Sequence, residues 1–103
     1  MISYEQRRVA TTWWRKRLFP REGFAMFGHA NAARFQTKLA ELLKEIDDDY
    51  CFGIDHYPDP ILAAALEAAG VNVGLRMWPP KIFMYFEAGG VSVGAPDPYE
   101  RLL

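Results

Sequence analysis

Sixteen residues, Trp78-Pro-Pro-Lys-Ile-Phe-Met-Tyr-Phe-Glu-Ala-Gly-Gly-Val-Ser-Val93, constrain the fold of this chain more than any other stretch. Two apolar runs, 82–86 and 91–93, flank Glu87-Ala88-Gly89-Gly90. That pattern reads as a β-hairpin, because glycine reaches φ > 0 where a chain must reverse tightly. Pro79 and Pro80 hold the approach, since neither can donate a ladder hydrogen bond or continue a helix. Alternation puts Ile82, Met84 and Phe86 on one face and Phe83, Tyr85 and Glu87 on the other. A hairpin alone is marginal in water, so its apolar face needs a cover.

Helical periodicity upstream supplies one. Asn31 caps an expected helix over 32–48, in which Phe35, Leu39, Leu42, Leu43 and Ile46 make an apolar stripe. Ser3 and Gln6 fit a capping box, which starts a first helix at Tyr4, and Pro20 ends it near Leu18. Asp59-Pro60 opens a third helix over 60–69 that Gly70 closes. Val71, Val73, Leu75 and Met77 alternate with polar residues and Gly74, which predicts a third strand over 71–77 beside strands at 82–87 and 91–94. A short strand is also expected within the aromatic connection, around 24–27. Helices first and strands last point to one α+β domain over 1–103, three helices on one face of a small antiparallel sheet. At 103 residues and 50% apolar composition, the chain has enough material for such a core.

The charge is unevenly placed. Residues 1–21 carry six cations against Glu5 alone, a net +5, whereas the rest of the chain sums to −6. The first helix therefore has an aromatic side with Trp13 and Trp14 and a basic side with Arg8 and Arg15, seven residues apart. Its last-turn cations also complement the helix dipole, which accounts for part of the clustering without any ligand. The opposite charge concentrates in Asp47-Asp48-Asp49, where the second helix would present its negative end.

Motifs that fix a reaction fail one by one. Gly23 and Gly28 have the spacing of a phosphate loop, but His29-Ala30 stands where Lys-Ser/Thr is required. The acidic triplet does not continue as a calcium loop, since Phe52 and Pro58 occupy the glycine and glutamate positions. Cys51, Asp55 and His56 are sequence neighbours with no oxyanion-hole motif; Cys51 beside Phe52 reads as a buried small hydrophobe and His56 as a loop residue. No catalytic, cofactor-binding or metal-ligating residue is assigned. A single cysteine excludes an internal disulfide. No apolar leader is visible, and the longest apolar run, 61–66, is far too short to span a bilayer. The expected location is the cytoplasm, without membrane contact.

These features describe a small non-enzymatic protein–protein interaction module of adaptor or inhibitor type. Its expected contact residues are Arg7, Arg8, Trp14, Arg15, Lys16, Arg21, Phe83 and Tyr85, and its expected partner is a protein with an acidic surface. Size and composition are also those of phage and mobile-element accessory proteins that block bacterial defence complexes, a comparison no motif carries. The alternative is nucleic-acid binding by the Arg/Lys/Trp-rich first helix. The opposed charge halves also suit a homodimer, basic helix against acidic turn.

Overall fold

The structure, a computed structural model, describes residues 1–21, 23–26, 28–75, 78, 81–94 and 99–103, with only the backbone of Leu75. Among these, α1 (Tyr4–Leu18), α2 (Ala32–Leu43) and α3 (Pro60–Ala68) pack over a four-stranded antiparallel sheet. The sheet runs β3 (Cys51–Ile54), β4 (Ile82–Glu87), β5 (Gly90–Gly94), β6 (Glu100–Arg101). A separate miniature hairpin, β1 (Phe24–Ala25) and β2 (Gly28–His29), occupies the aromatic connection between α1 and α2, where a short strand was expected. Phe27 lies outside the described residues. The chain is α+β.

The expected hairpin is present. Glu87 pairs with Gly90, leaving Ala88 and Gly89 as the turn, with Gly89 at φ 74°. Register then sorts the side chains. Phe52, Ile54, Met84, Phe86, Val91 and Val93 enter one core with Trp14 and Leu18 of α1, Phe35, Leu39 and Leu43 of α2, and Leu62, Ala65 and Leu66 of α3. The other face carries Cys51, Tyr85, Ser92 and Arg101 in one directly paired row.

The third strand is not where alternation placed it. Val73–Leu75 is a single 3₁₀ turn, and the expected strand's last residues, Arg76 and Met77, lie outside the described residues, as do Pro79 and Pro80. Gly70 at φ 96° and the Val71 N–H on the Leu66 carbonyl (3.0 Å) fold the chain back over α3. Val71 and Val73 are thereby buried without any ladder, and the Trp78 indole N–H closes on the Val73 carbonyl at 3.1 Å. The strand that pairs with the other edge of β4 is the four-residue β3, in a stretch for which no strand is expected from the sequence. Alternation there buries Phe52 and Ile54 and leaves Cys51 exposed, so the cysteine is not the core hydrophobe expected.

α2 also ends earlier than expected, at Leu43 rather than 48. The chain turns at Lys44, and the Ile46 carbonyl accepts the Ile2 N–H at 2.8 Å. The acidic triplet that follows is split three ways. Asp47 meets the Met1 amino group at 2.9 Å, Asp48 accepts from the Gln6 amide at 3.2 Å, and Asp49, at φ 70°, accepts from the Tyr85 hydroxyl at 3.1 Å.

Asp59 locks the sheet edge to α3. Its two carboxylate oxygens accept from the N–H groups of Leu62 (3.0 Å) and Gly53 (3.1 Å), while its own N–H donates to the Gly53 carbonyl (3.0 Å). Burial outweighs these backbone donors and raises the carboxyl above its ordinary pKa. A folded pKa above the unfolded one contributes stability that is full below the unfolded value and is lost as pH rises through the folded value. The stability advantage of the parent over Asp59→Ser, which keeps a cap without a charge, should therefore be larger at about pH 4.5 than at about pH 7. Urea titrations at both pH values measure it; an advantage that grows towards neutrality contradicts the assignment.

Candidate interaction site

α1 and α2 lie side by side and antiparallel, with the Ile2–Ile46 hydrogen bond at one end and Arg15 beside Gln36 at the other. Between them, away from the sheet, is an open groove of about 830 Å³. One wall presents Tyr4, Arg7, Arg8, Thr11 and Arg15, which recur at helical spacing on α1. The other presents Ala33, Thr37, Ala40 and Lys44 at the same spacing on the side of α2 opposite Phe35, Leu39 and Leu43. Small side chains thus make the floor, and cations make the rims.

The cations differ in how they are held. Arg8 forms a two-point pair with exposed Glu5 (2.6 and 3.3 Å), and that hydrogen-bonded guanidinium holds the Glu5 carboxyl below its ordinary range. Arg15 donates instead to the Gln36 side-chain oxygen at 2.8 Å, and Arg7 to the Ile2 carbonyl at 3.3 Å with its guanidinium 6.0 Å from the Tyr4 ring. Both are half-buried and are oriented by neutral groups; among the described residues neither has a carboxylate partner. Glu41, the one carboxylate lining the groove among the described residues, is itself paired with Lys38 at 3.7 Å. The groove is a preorganised positive surface with its charge largely unanswered.

The eight expected contact residues do not form one site. Arg7, Arg8 and Arg15 come together in the groove. Lys16 shares a shallow depression on the far side of α1 with Arg8, Val9, Trp13 and Leu102. Arg21 is exposed beyond the helix, where it bridges to Phe24. Trp14 is 0% exposed and lies against Phe52, ring centroids 5.8 Å apart and tilted, so it cannot touch a partner. Its position four residues after Ala10 and four before Leu18 puts it on the core stripe, whereas Trp13, one residue earlier, sits half-buried at the stripe's margin.

Phe83 and Tyr85 occupy the sheet face turned away from all three helices, so they belong to a different surface from the cations. Both are half-buried, and Phe83 stands between Gly53 and Gly94 in the pairing. The Tyr85 hydroxyl donates to Asp49, which raises the phenol pKa. The contribution of α2 has no local signal in the sequence. Lys44 and Gln36 lie on the ordinary polar side of an amphipathic helix, and only the antiparallel packing sets them against Arg7 and Arg15.

Comparison with protein-family models, curated proteins and solved structures gives no match to this chain.

Proposed function

We propose that the chain is a binding module for an acidic segment of a partner protein, received in the groove between α1 and α2. The observation that carries this reading is the pair Arg7 and Arg15, fixed by neutral acceptors and facing open space with no carboxylate partner among the described residues. Holding a cation in place beforehand lowers the entropy that an anionic partner must overcome to engage it. The adaptor or inhibitor class expected from composition is the kind of role such a groove serves. Likeness in size to phage accessory proteins adds nothing to it.

Polyglutamate is a sufficient probe. Titrated into labelled protein at about 50 mM salt, it should shift the amide resonances of the groove and weaken as salt rises, because exposed charge pairs are screened. Arg7→Glu with Arg15→Glu turns the lining from a net +3 to −1 and should abolish those shifts while leaving the spectrum folded. Groove resonances that respond to a single-stranded oligonucleotide and not to polyglutamate would replace this reading with the nucleic-acid one. Sedimentation that shows a salt-sensitive dimer would make a second copy's acidic turn the partner.

A further inference from the structure

We infer that the occupant of the groove is an α-helix of about three turns carrying acidic side chains seven or eight residues apart; this rests on the reading of the groove as an acid-binding surface. Length comes first. Tyr4 to Arg15 on one wall and Ala33 to Lys44 on the other each cover twelve residues, whose eleven rises make roughly 17 Å at the helical rise of 1.5 Å per residue. Arg7 and Arg15, the two arginines held by neutral acceptors, are eight residues apart, roughly 12 Å along the axis, close to the separation of position i from positions i+7 and i+8 on a helix laid alongside. Arg7 and Lys44 meet the same end of the occupant from opposite walls.

Backbone chemistry then separates a helix from an extended strand. Both walls are helices whose mid-segment N–H and C=O groups are already bonded within the helix, so the groove offers no edge for strand addition. An extended segment would lie in it with its own backbone groups unmatched by the walls, whereas a helix brings its hydrogen bonds with it. The floor agrees. Ala33, Thr37, Ala40 and Thr11 end within one or two heavy atoms of Cβ, which lets a third helix axis approach to the usual packing distance of about 8–10 Å. Such a helix would extend the α1–α2 layer on the side away from the sheet, and its acids would fall beside the two arginines that lack a carboxylate.

Three alanine-based peptides of equal length and equal glutamate count test this. One is side-chain stapled into a helix with glutamates at i, i+7 and i+8, one is its proline-interrupted version, and one is stapled with the glutamates on the opposite side from the staple-defined face. Fluorescence anisotropy should show the first binding at least roughly tenfold tighter than either of the others, and Ala33→Trp, which fills the floor without changing charge, should remove that advantage. Equal binding of the proline-interrupted peptide overturns the helical occupant and leaves the acid-binding groove standing. Loss of response to all three peptides and to polyglutamate alike overturns both.

Discussion

Gly53→Ala is expected to cost about 3 kcal/mol or more, a large share of the roughly 5–15 kcal/mol that holds a domain of this size together. A Cβ on Gly53 would overlap the Ile82 carbonyl oxygen and stand 2.8 Å from the Phe83 Cα. Both obstacles are backbone, so no side-chain rotation relieves them. The strand cannot retreat either, because Asp59 grips the N–H and the carbonyl of Gly53 from the outer edge and is itself the cap of α3. Moving β3 away from β4 would therefore break the edge, the cap or the burial of Phe52 and Ile54. The neighbouring Cys51→Ala, at an exposed position of the same strand, should stay within about 0.5 kcal/mol of the parent. Urea unfolding of the two variants side by side measures the contrast. A Gly53→Ala protein as stable as Cys51→Ala would mean that β3 is free to shift, and the close approach of the two strands would lose its structural importance.

Gly53 also shows where sequence patterns stop informing. The helices were legible because each carries its own signals: the Ser3–Gln6 box, Asn31 and Asp59 as caps, and an apolar stripe at 3.6 spacing. The β4–β5 hairpin was legible because turn and alternation are local. β3 has four residues, one of them glycine, and borrows its strand character from β4, whose paired residues lie 28 to 34 positions later in the chain. Val71 to Leu75 has the better alternation and is not a strand, since its burial against α3 is satisfied by a turn. Local pattern loses wherever pairing partners are distant. The groove follows the same logic. Arg8 and Arg15 share a helix face that sequence spacing reveals, but Lys44 and Gln36 reach them only through the antiparallel packing of α1 and α2. Trp14 is the opposite case: an aromatic beside cations looks like a contact residue until its phase on the helix is weighed against Ala10 and Leu18.

Gln6→Ala should lower stability by about 2–4 kcal/mol, several times the effect of an ordinary surface substitution on the same helix. Gln6 is buried, and every polar atom of its side chain is used. The side-chain oxygen accepts the Ser3 N–H at 2.7 Å, completing the capping box, while the amide nitrogen faces the carbonyls of Glu87 (2.8 Å) and Gly90 (3.1 Å) and the Asp48 carboxylate (3.2 Å). One side chain thus ties the start of α1 to the hairpin turn and to the acidic segment after α2. Removing it takes the second donor from two turn carbonyls that otherwise pair only across the hairpin, and opens the box, whereas Ser3→Ala removes one capping bond and should cost only about 1 kcal/mol. Gln6→Glu sharpens the test, because it preserves shape and the acceptor for Ser3 but puts a carboxylate against two carbonyls and Asp48. Burial and like charge would raise that carboxyl's pKa in the folded state, so its stability is best below the unfolded value and falls as pH climbs through the folded one. The Gln6→Glu variant should consequently recover relative to the parent on acidification to about pH 4, where the protonated acid again donates to the turn. Hydrogen exchange adds a local readout. The Val91 N–H, bonded to the Leu103 carbonyl beside this turn, should lose protection in Gln6→Ala beyond what global destabilisation accounts for. Protection that falls only in step with global stability would show that the turn stands without the glutamine.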